Sequence, residues 1–385
     1  MNAYDAVLNN GPSANRVDIV FAGDGYRTTE IDTAYVQHVD ALIGYLFGGG
    51  LLTDPFGRYG KFFDAWRVNV VSAESGADDP SAGVFRDTAL GASYLSDGVT
   101  QRALSVSTTA TVAAVVSALA GTGIDPEMRF VTVNDTQYGG TGGLFAVYAG
   151  DNAAALEVAL HEVGHSFAGL ADEYNYGGYP GAYVGPEPGQ PNLTTDPTGA
   201  KWAAWLGYDQ PGIGTIGAYE GGFYQETGIW RPSFASKMNV LGAPFDAIGR
   251  EAFIQHIYAE VRPLDAYTAN ATVLADTDSL FVLPVDAQVI KVRWSVDGQV
   301  VLDGNTDSFD LSDAGYGPGT YSVTALAYDD TDWVRGNRDL LEERITWTVR
   351  IDAPAEEPGG QPEMAGHGHH AGRPAEWHAH HDWMA

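Results

Sequence analysis

The chain contains no cysteine among its 385 residues. Disulfides, thiolate metal sites and cysteine nucleophiles are therefore excluded, and any transition metal must be held by histidine and carboxylate. Positive charge is scarce: 20 Lys+Arg stand against 50 Asp+Glu, for a formal net charge of -30. A surface of that sign repels phosphate backbones and anionic headgroups, so neither nucleic acid nor a membrane is an expected partner. No apolar run approaches the length that spans a bilayer. The opening MNAYDAVLNNGPSANRVDIV has no basic segment followed by an apolar one and does not read as a signal peptide. Composition leaves the oligomeric state open. What is present is a globular composition, 44% hydrophobic and 11% aromatic, in a chain long enough for two domains.

Strand and helix signals alternate over the first 262 residues, which predicts an α/β (α+β) domain with crossovers. VDIVFAG (Val17 to Gly23), WRVNVVS (Trp66 to Ser72) and MRFVTVN (Met128 to Asn134) read as strands. LFAVYA (Leu144 to Ala149) reads as an edge strand able to pair with an extended substrate. Helical spacing marks Thr29 to Phe47, Val112 to Leu119, about Asn152 to Ala168, and Phe245 to Ala259. Asn175 to Gly217 is rich in Gly, Tyr and Pro and reads as long loops. From 263 to 351 short alternating strands predict a small all-β sandwich, with Asp297-Gly298 as a hairpin turn. This unit holds no catalytic cluster, so it is expected to be separable from the chemistry. Residues 352–385, rich in Pro and Gly and then in histidine, read as a disordered tail.

The chemistry is concentrated in ALEVALHEVGHSFAGLADEY, Ala155 to Tyr174. His161 and His165, four apart on a helix, share a face and can reach one Zn2+. Glu162, one position round, is placed to take a proton from the metal's water as general base. The alternative is an ordinary helix carrying two histidines. Against it, the flanks are apolar and helical, and a third ligand can be located. Gly169 can end the helix in a left-handed conformation, and the Gly-x-x-ligand spacing of the metzincin pattern then falls on Asp172. The adjacent Glu173 is its rival. Downstream, Met238 is a candidate for a methionine turn beneath the metal, although a lone Met is more often core filler. Tyr224 and Arg231 are candidate donors to an oxyanion, set against plain loop packing and a surface charge. His38 and His256 read as packed or solvated. Asp303 to Asp310 lacks the full EF-hand spacing for calcium. The six histidines His367, His369, His370, His378, His380 and His381 form a tract able to bind metal loosely, with simple solvation the plainer reading.

Taken in order, NGP with VDIVFAGDGY, DPFGRYGKFFDAWRVNVVSAESG, FRDTALGASY, HEVGHSFAGLADEY and YQETGIWRPSFASKM give the chain its resemblance to the IgA-peptidase family of bacterial zinc metallopeptidases. The resemblance covers about residues 10 to 262. It implies a metzincin-like domain, one catalytic zinc, hydrolysis of peptide bonds in a protein or peptide substrate, and an extracellular setting. His161, Glu162 and His165 carry over, as do Asp172 and Met238. The later unit is similar to the immunoglobulin-like sandwich appended to many relatives. Cleavage of immunoglobulin A does not transfer with the family name. Two other functions are consistent with the motif: a zinc amidase acting on a non-protein substrate, and a protein- or glycan-binding module with a vestigial site. The intact glutamate of the motif argues against the second.

Overall fold

A computed structural model describes residues 3–175, 179–275, 279–304 and 306–353. The tail read from 352 onward therefore lies almost wholly outside the described residues. The architecture is mixed α/β, with several small sheets and few helices.

The largest sheet has six strands: β1 (Tyr4–Leu8), β2 (Val17–Asp24), β3 (Phe63–Val68), β4 (Pro126–Val133), β5 (Gly140–Thr141) and β6 (Ala146–Ala149), in the order β1-β3-β2-β4-β6-β5. The inner pairs β3/β2, β2/β4 and β4/β6 are parallel, and both edges are antiparallel. Central β2 is buried along its whole length, Asp18 and Asp24 included, as expected of a strand covered on both faces. Val17, Ile19 and Phe21 enter one core cluster, Val20 and Ala22 another. α1 (Ala34–Phe47) and α3 (Ala155–Ser166) contribute to the first, and Val115 of α2 (Thr108–Ala118) to the second. A fourth helix, α4 (Ala247–Glu260), opens on Asp246, whose carboxylate accepts from the Ile248 and Gly249 N–H groups.

Between α3 and α4 run short strands: β7 (Tyr179–Ala182), β8 (Asp209–Gln210), β9 (Gly214–Thr215), β10 (Tyr219–Gly222) and β11 (Gln225–Arg231). Beyond α4 lie β12 (Leu264–Tyr267), β13 (Leu274–Ala275), β14 (Leu280–Pro284), β15 (Ile290–Val296), β16 (Gln299–Gly304), β17 (Ser308–Phe309), β18 (Gly319–Asp329) and β19 (Glu342–Ile351). They form a five-stranded sheet, β13-β19-β18-β15-β16, and a three-stranded one, β12-β14-β17. Trp294 stacks on Trp347 and on Phe309, joining strands of both sheets. Asp297 and Gly298 both have positive φ, as a two-residue hairpin with the strands' twist demands.

Two expectations are corrected. The strand read over Leu144–Ala149 is not an edge: β6 lies between β4 and the two-residue β5. The outer side of β5 is itself engaged, since the Gly140 N–H donates to the Arg102 carbonyl at 3.1 Å and the Thr141 hydroxyl to the Leu104 carbonyl at 2.7 Å. The segment from Asn175 to Gly217 is also not loop alone, because β7, β8 and β9 fall within it.

Candidate metal centre

α3 is amphipathic in an unusual sense: most of it is buried, including His161 and Glu162. Its apolar side, with Val158, Leu160 and Val163, seats it in the core. Gly164, between the two histidines, lets the helix approach its neighbour. A Cβ there would lie 2.7 Å from the Met238 sulfur. The helix is terminated by Gly169, at φ 64, and the Leu170 N–H returns to the Gly164 carbonyl at 2.9 Å. This reversal brings Ala171 to Tyr174 back beneath the histidines. Asn192 clasps that return on both edges, accepting from the Ala171 N–H and donating to the Ala171 carbonyl.

The result is a convergence of three donors. His161 Nε2 lies 3.1 Å from Asp172 Oδ1, His165 Nε2 lies 3.2 Å from the same oxygen, and the two Nε2 atoms are 3.3 Å apart. Among the described residues this is the group of histidine and carboxylate side chains placed to hold a metal ion. The second nitrogen of each ring is fixed by a backbone carbonyl: His161 Nδ1–H donates to Lys237 O at 2.9 Å, and His165 Nδ1–H donates to Leu170 O at 2.7 Å. A carbonyl only accepts, so each neutral ring turns a bare Nε2 lone pair inward. Two lone pairs and a carboxylate oxygen thus face one another, an arrangement that calls for a cation between them.

The donor set fits zinc. Bonds of about 2.0–2.1 Å in tetrahedral array place ligand atoms roughly 3.3 Å apart, close to the spacing found. The same demand for positive charge is visible in the side chains' acidities. Burial disfavours the His165 imidazolium, yet the hydrogen bond and charge of Asp172, with Glu162, raise its pKa to about 9. Burial likewise opposes ionisation of Asp172, but the two imidazoles hold its carboxyl well below the usual range. Burial raises Glu162 above its ordinary value, against the pull of His161 and His165.

Asp172 and Glu173 are sharply distinguished. Glu173 is fully buried and turns away from the histidines, accepting from Asn192 at 2.9 Å and the Ser236 hydroxyl at 2.7 Å. Its N–H donates to the Met238 carbonyl at 2.8 Å. The second oxygen of Asp172 accepts from the Tyr224 hydroxyl at 2.7 Å, and that hydroxyl is 3.0 Å from Tyr174's. Tyr224 is therefore bound to the carboxylate of the cluster. Burial, then the charge of Asp172, pushes its phenol up to about 12, so it remains a donor at neutral pH. Phe223 and Tyr224 both have positive φ at the tip between β10 and β11, a strained state for bulky residues of the kind that clusters at functional sites. Their N–H groups donate to the Asp172 and Tyr174 carbonyls, docking the hairpin on the returning segment.

Ser236 to Met238 forms the turn below the cluster. Met238 is buried, and Lys237, whose carbonyl orients His161, has its amine buried against Glu157 of α3 at 2.7 Å. Arg231 does not reach the centre; its guanidinium donates to the Glu220 and Gly221 carbonyls within the hairpin. His38 pairs with the Tyr26 hydroxyl, and His256 with the Ala252 carbonyl in its own helix. The tail histidines lie outside the described residues.

A pocket of about 60 Å³ opens beside His161 and Glu162, with Arg102, Tyr138, Tyr174 and Asn239 on its walls. Sequence reading did not single out Arg102 or Gly140. Gly140 faces Glu162 so closely that a Cβ would sit 3.1 Å from Oε1 and 2.5 Å from Val158 Cγ1.

The family model for IgA peptidase M64 matches residues 6–215. The chain belongs to that peptidase family. The matched span includes His161, Glu162, His165 and Asp172 and ends before Tyr224 and Met238. Peptidases of this family are metallopeptidases, hydrolases acting on protein or peptide substrates. Comparison with curated proteins gives no match.

Proposed function

We propose that this member of the IgA peptidase M64 family is a zinc endopeptidase in which His161, His165 and Asp172 hold the metal and Glu162 is the general base. The observation that carries the reading is the convergence of two imidazole nitrogens and one carboxylate oxygen, next to a buried glutamate at the pocket wall. Bound zinc would supply Lewis-acid polarisation of the scissile carbonyl and acidify a water in its open position. Glu162 takes the proton of the attacking water on its carboxylate and delivers it to the departing amine. The Lys237 and Leu170 carbonyls keep both histidines in the tautomer that ligation requires. Tyr224 is assigned to position Asp172 through Oδ2, leaving Oδ1 for the metal; a role in binding the oxyanion would require it to turn from that contact.

We read residues 1–262 as a metzincin-like catalytic unit and 263–351 as an immunoglobulin-like sandwich, on the strength of the His-His-Asp turn and the paired sheets beyond α4. An extracellular site of action is part of this reading; among the described residues no helix is long and apolar enough to cross a membrane.

The test is Glu162→Gln. Glutamine keeps the shape but cannot accept the proton, so zinc content should be retained while kcat falls by about 10²–10⁴-fold. Near-normal turnover with zinc bound would reject the assignment of Glu162.

A further inference from the structure

A groove of about 400 Å³, walled by Leu51, Leu52, Val240, Leu241 and Pro244, shares Leu241 with the pocket at His161 and Glu162. Every residue lining it is apolar or glycine, in a chain that carries 50 acidic residues. Leu51 is 50% exposed, Leu52 39% and Val240 50%. Large apolar side chains gathered in one concavity and left in water mark a binding surface rather than incidental exposure. The space is kept open by Gly212, at φ 78, where a Cβ would come within 3.2 Å of Pro244 Cγ and 3.7 Å of Leu51 Cδ1.

Two observations tie the groove to the catalytic centre. Leu241 lines both this groove and the pocket at His161 and Glu162. The wall residues Val240 and Leu241 also continue directly from the turn that orients His161, with the Val240 N–H donating to the Ser236 carbonyl at 2.8 Å. An occupant of the groove is thereby held at a fixed place relative to the metal ligands.

Resting on the peptidase reading above, we infer that this groove is the subsite for a large aliphatic or aromatic side chain of the polypeptide substrate, close to the scissile bond. The extended chain crosses Leu241 on its way from the groove to the centre. The groove offers no charged group to an acidic or basic side chain, and apolar walls discriminate against both through the cost of desolvation.

The test uses internally quenched peptides varied one position at a time, cleaved by the full-length zinc-loaded protein and by Leu52→Asp and Val240→Asp. Both positions are solvent-exposed enough to accept the change, and Leu52→Ser serves as a milder second variant. Wild type should prefer Leu or Phe over Asp by at least about tenfold in kcat/KM at one position near the cut. The variants should lose that preference at that position alone. Peptide cleavage with the same preference in wild type and variants would overturn the subsite while leaving the peptidase reading intact. Failure of zinc-loaded wild type to cleave any peptide would strike the peptidase reading first, and the subsite with it. Sedimentation closes the remaining case: a dimer that Leu52→Asp dissociates, with side-chain preferences unaltered, would give the groove to a second copy of the chain and overturn the proposal.

Discussion

Asp172 and Glu173 are neighbours of the same charge with opposite surroundings. Asp172 shares one oxygen with two imidazoles and gives the other to Tyr224, whereas Glu173 is sealed among Asn192, Ser236 and the Met238 backbone. The two carboxylates are engaged on different partners, Asp172 on the histidines and Glu173 on Asn192 and Ser236, so only one of them faces the histidines. Asp172→Ala should therefore abolish tight zinc binding in a competition with a chelator. Glu173→Gln, which keeps the shape and the acceptor for Asn192, should bind zinc as wild type does. The reverse pattern would place the ligand one residue later. The residues of the HExxH motif and the spacing from Gly169 made much of this cluster legible in the sequence, because a helix and a left-handed glycine have fixed geometry. Arg102 was not legible: it stands about 60 residues upstream of the motif in an irregular segment, and nothing local announces that its chain lies beside β5. The carbonyls of Lys237 and Leu170 were also invisible, since a backbone acceptor leaves no trace in residue identity.

At the level of elements, long periodic segments were readable and short ones were not. α1, α3, β2 and β15 each run at least seven residues, enough for a period to show. β5, β8 and β9 have two residues each, which is less than one full alternation, and their pairing is decided by distant chain. The contact between β2 and β4 yields a pH prediction. Glu127, near the start of β4, accepts the Asp18 N–H at 2.7 Å. Burial, opposed by that hydrogen bond but aided by Asp18, Asp125 and Glu260, raises its carboxyl to about 7. The folded state thus holds a proton that the unfolded chain, near 4.5, has released. The associated stability is fully present below about 4.5 and is lost as pH rises through 7. Glu127→Gln, neutral at every pH, should raise the melting temperature at pH 8 relative to wild type and have little effect at pH 4. Equal shifts at both pH values would contradict the assignment. The turn beneath the cluster gives another expectation. Lys237→Met removes the buried partner of Glu157 and should cost about 3 kcal/mol in chemical denaturation, with zinc affinity reduced because the carbonyl that orients His161 loses its anchor. Unchanged stability would mean that the Lys237–Glu157 pair does not secure the turn.

Across the whole molecule, the strands beyond Pro263 are not simply tethered to the rest. Asp329, buried at the end of β18, accepts from Arg58 at 2.6 Å, Tyr59 at 2.6 Å and Tyr258 at 3.0 Å. Arg16, buried before β2, pairs with both oxygens of Asp265 at 2.7 Å. One continuous apolar cluster contains Phe253 and Ile257 of α4 together with Trp294 and Trp347. The chemistry of residues 263–351 is separable in the sense that no cluster residue comes from them, but a chain ending at Pro263 would leave Arg16, Arg58 and two buried tyrosines without their carboxylates. Such a truncation should be markedly less stable than the full chain, and Asp329→Ala should lower stability by about 3 kcal/mol without changing zinc stoichiometry. A truncated protein as stable as the whole would show that these contacts do not matter. Sequence alternation revealed the strands of this unit but not its attachment, because Arg58 stands 271 residues before Asp329 and Arg16 stands 249 before Asp265. The central claim is that His161, His165 and Asp172 hold the zinc on which turnover depends. It is tested most directly by titrating zinc into metal-depleted protein ending at Asp352, which lacks the tail histidines, while following cleavage of a peptide. Activity should rise from near zero and saturate at one zinc per chain, and Asp172→Ala should show no such saturation. Full activity in the metal-free protein would contradict the account.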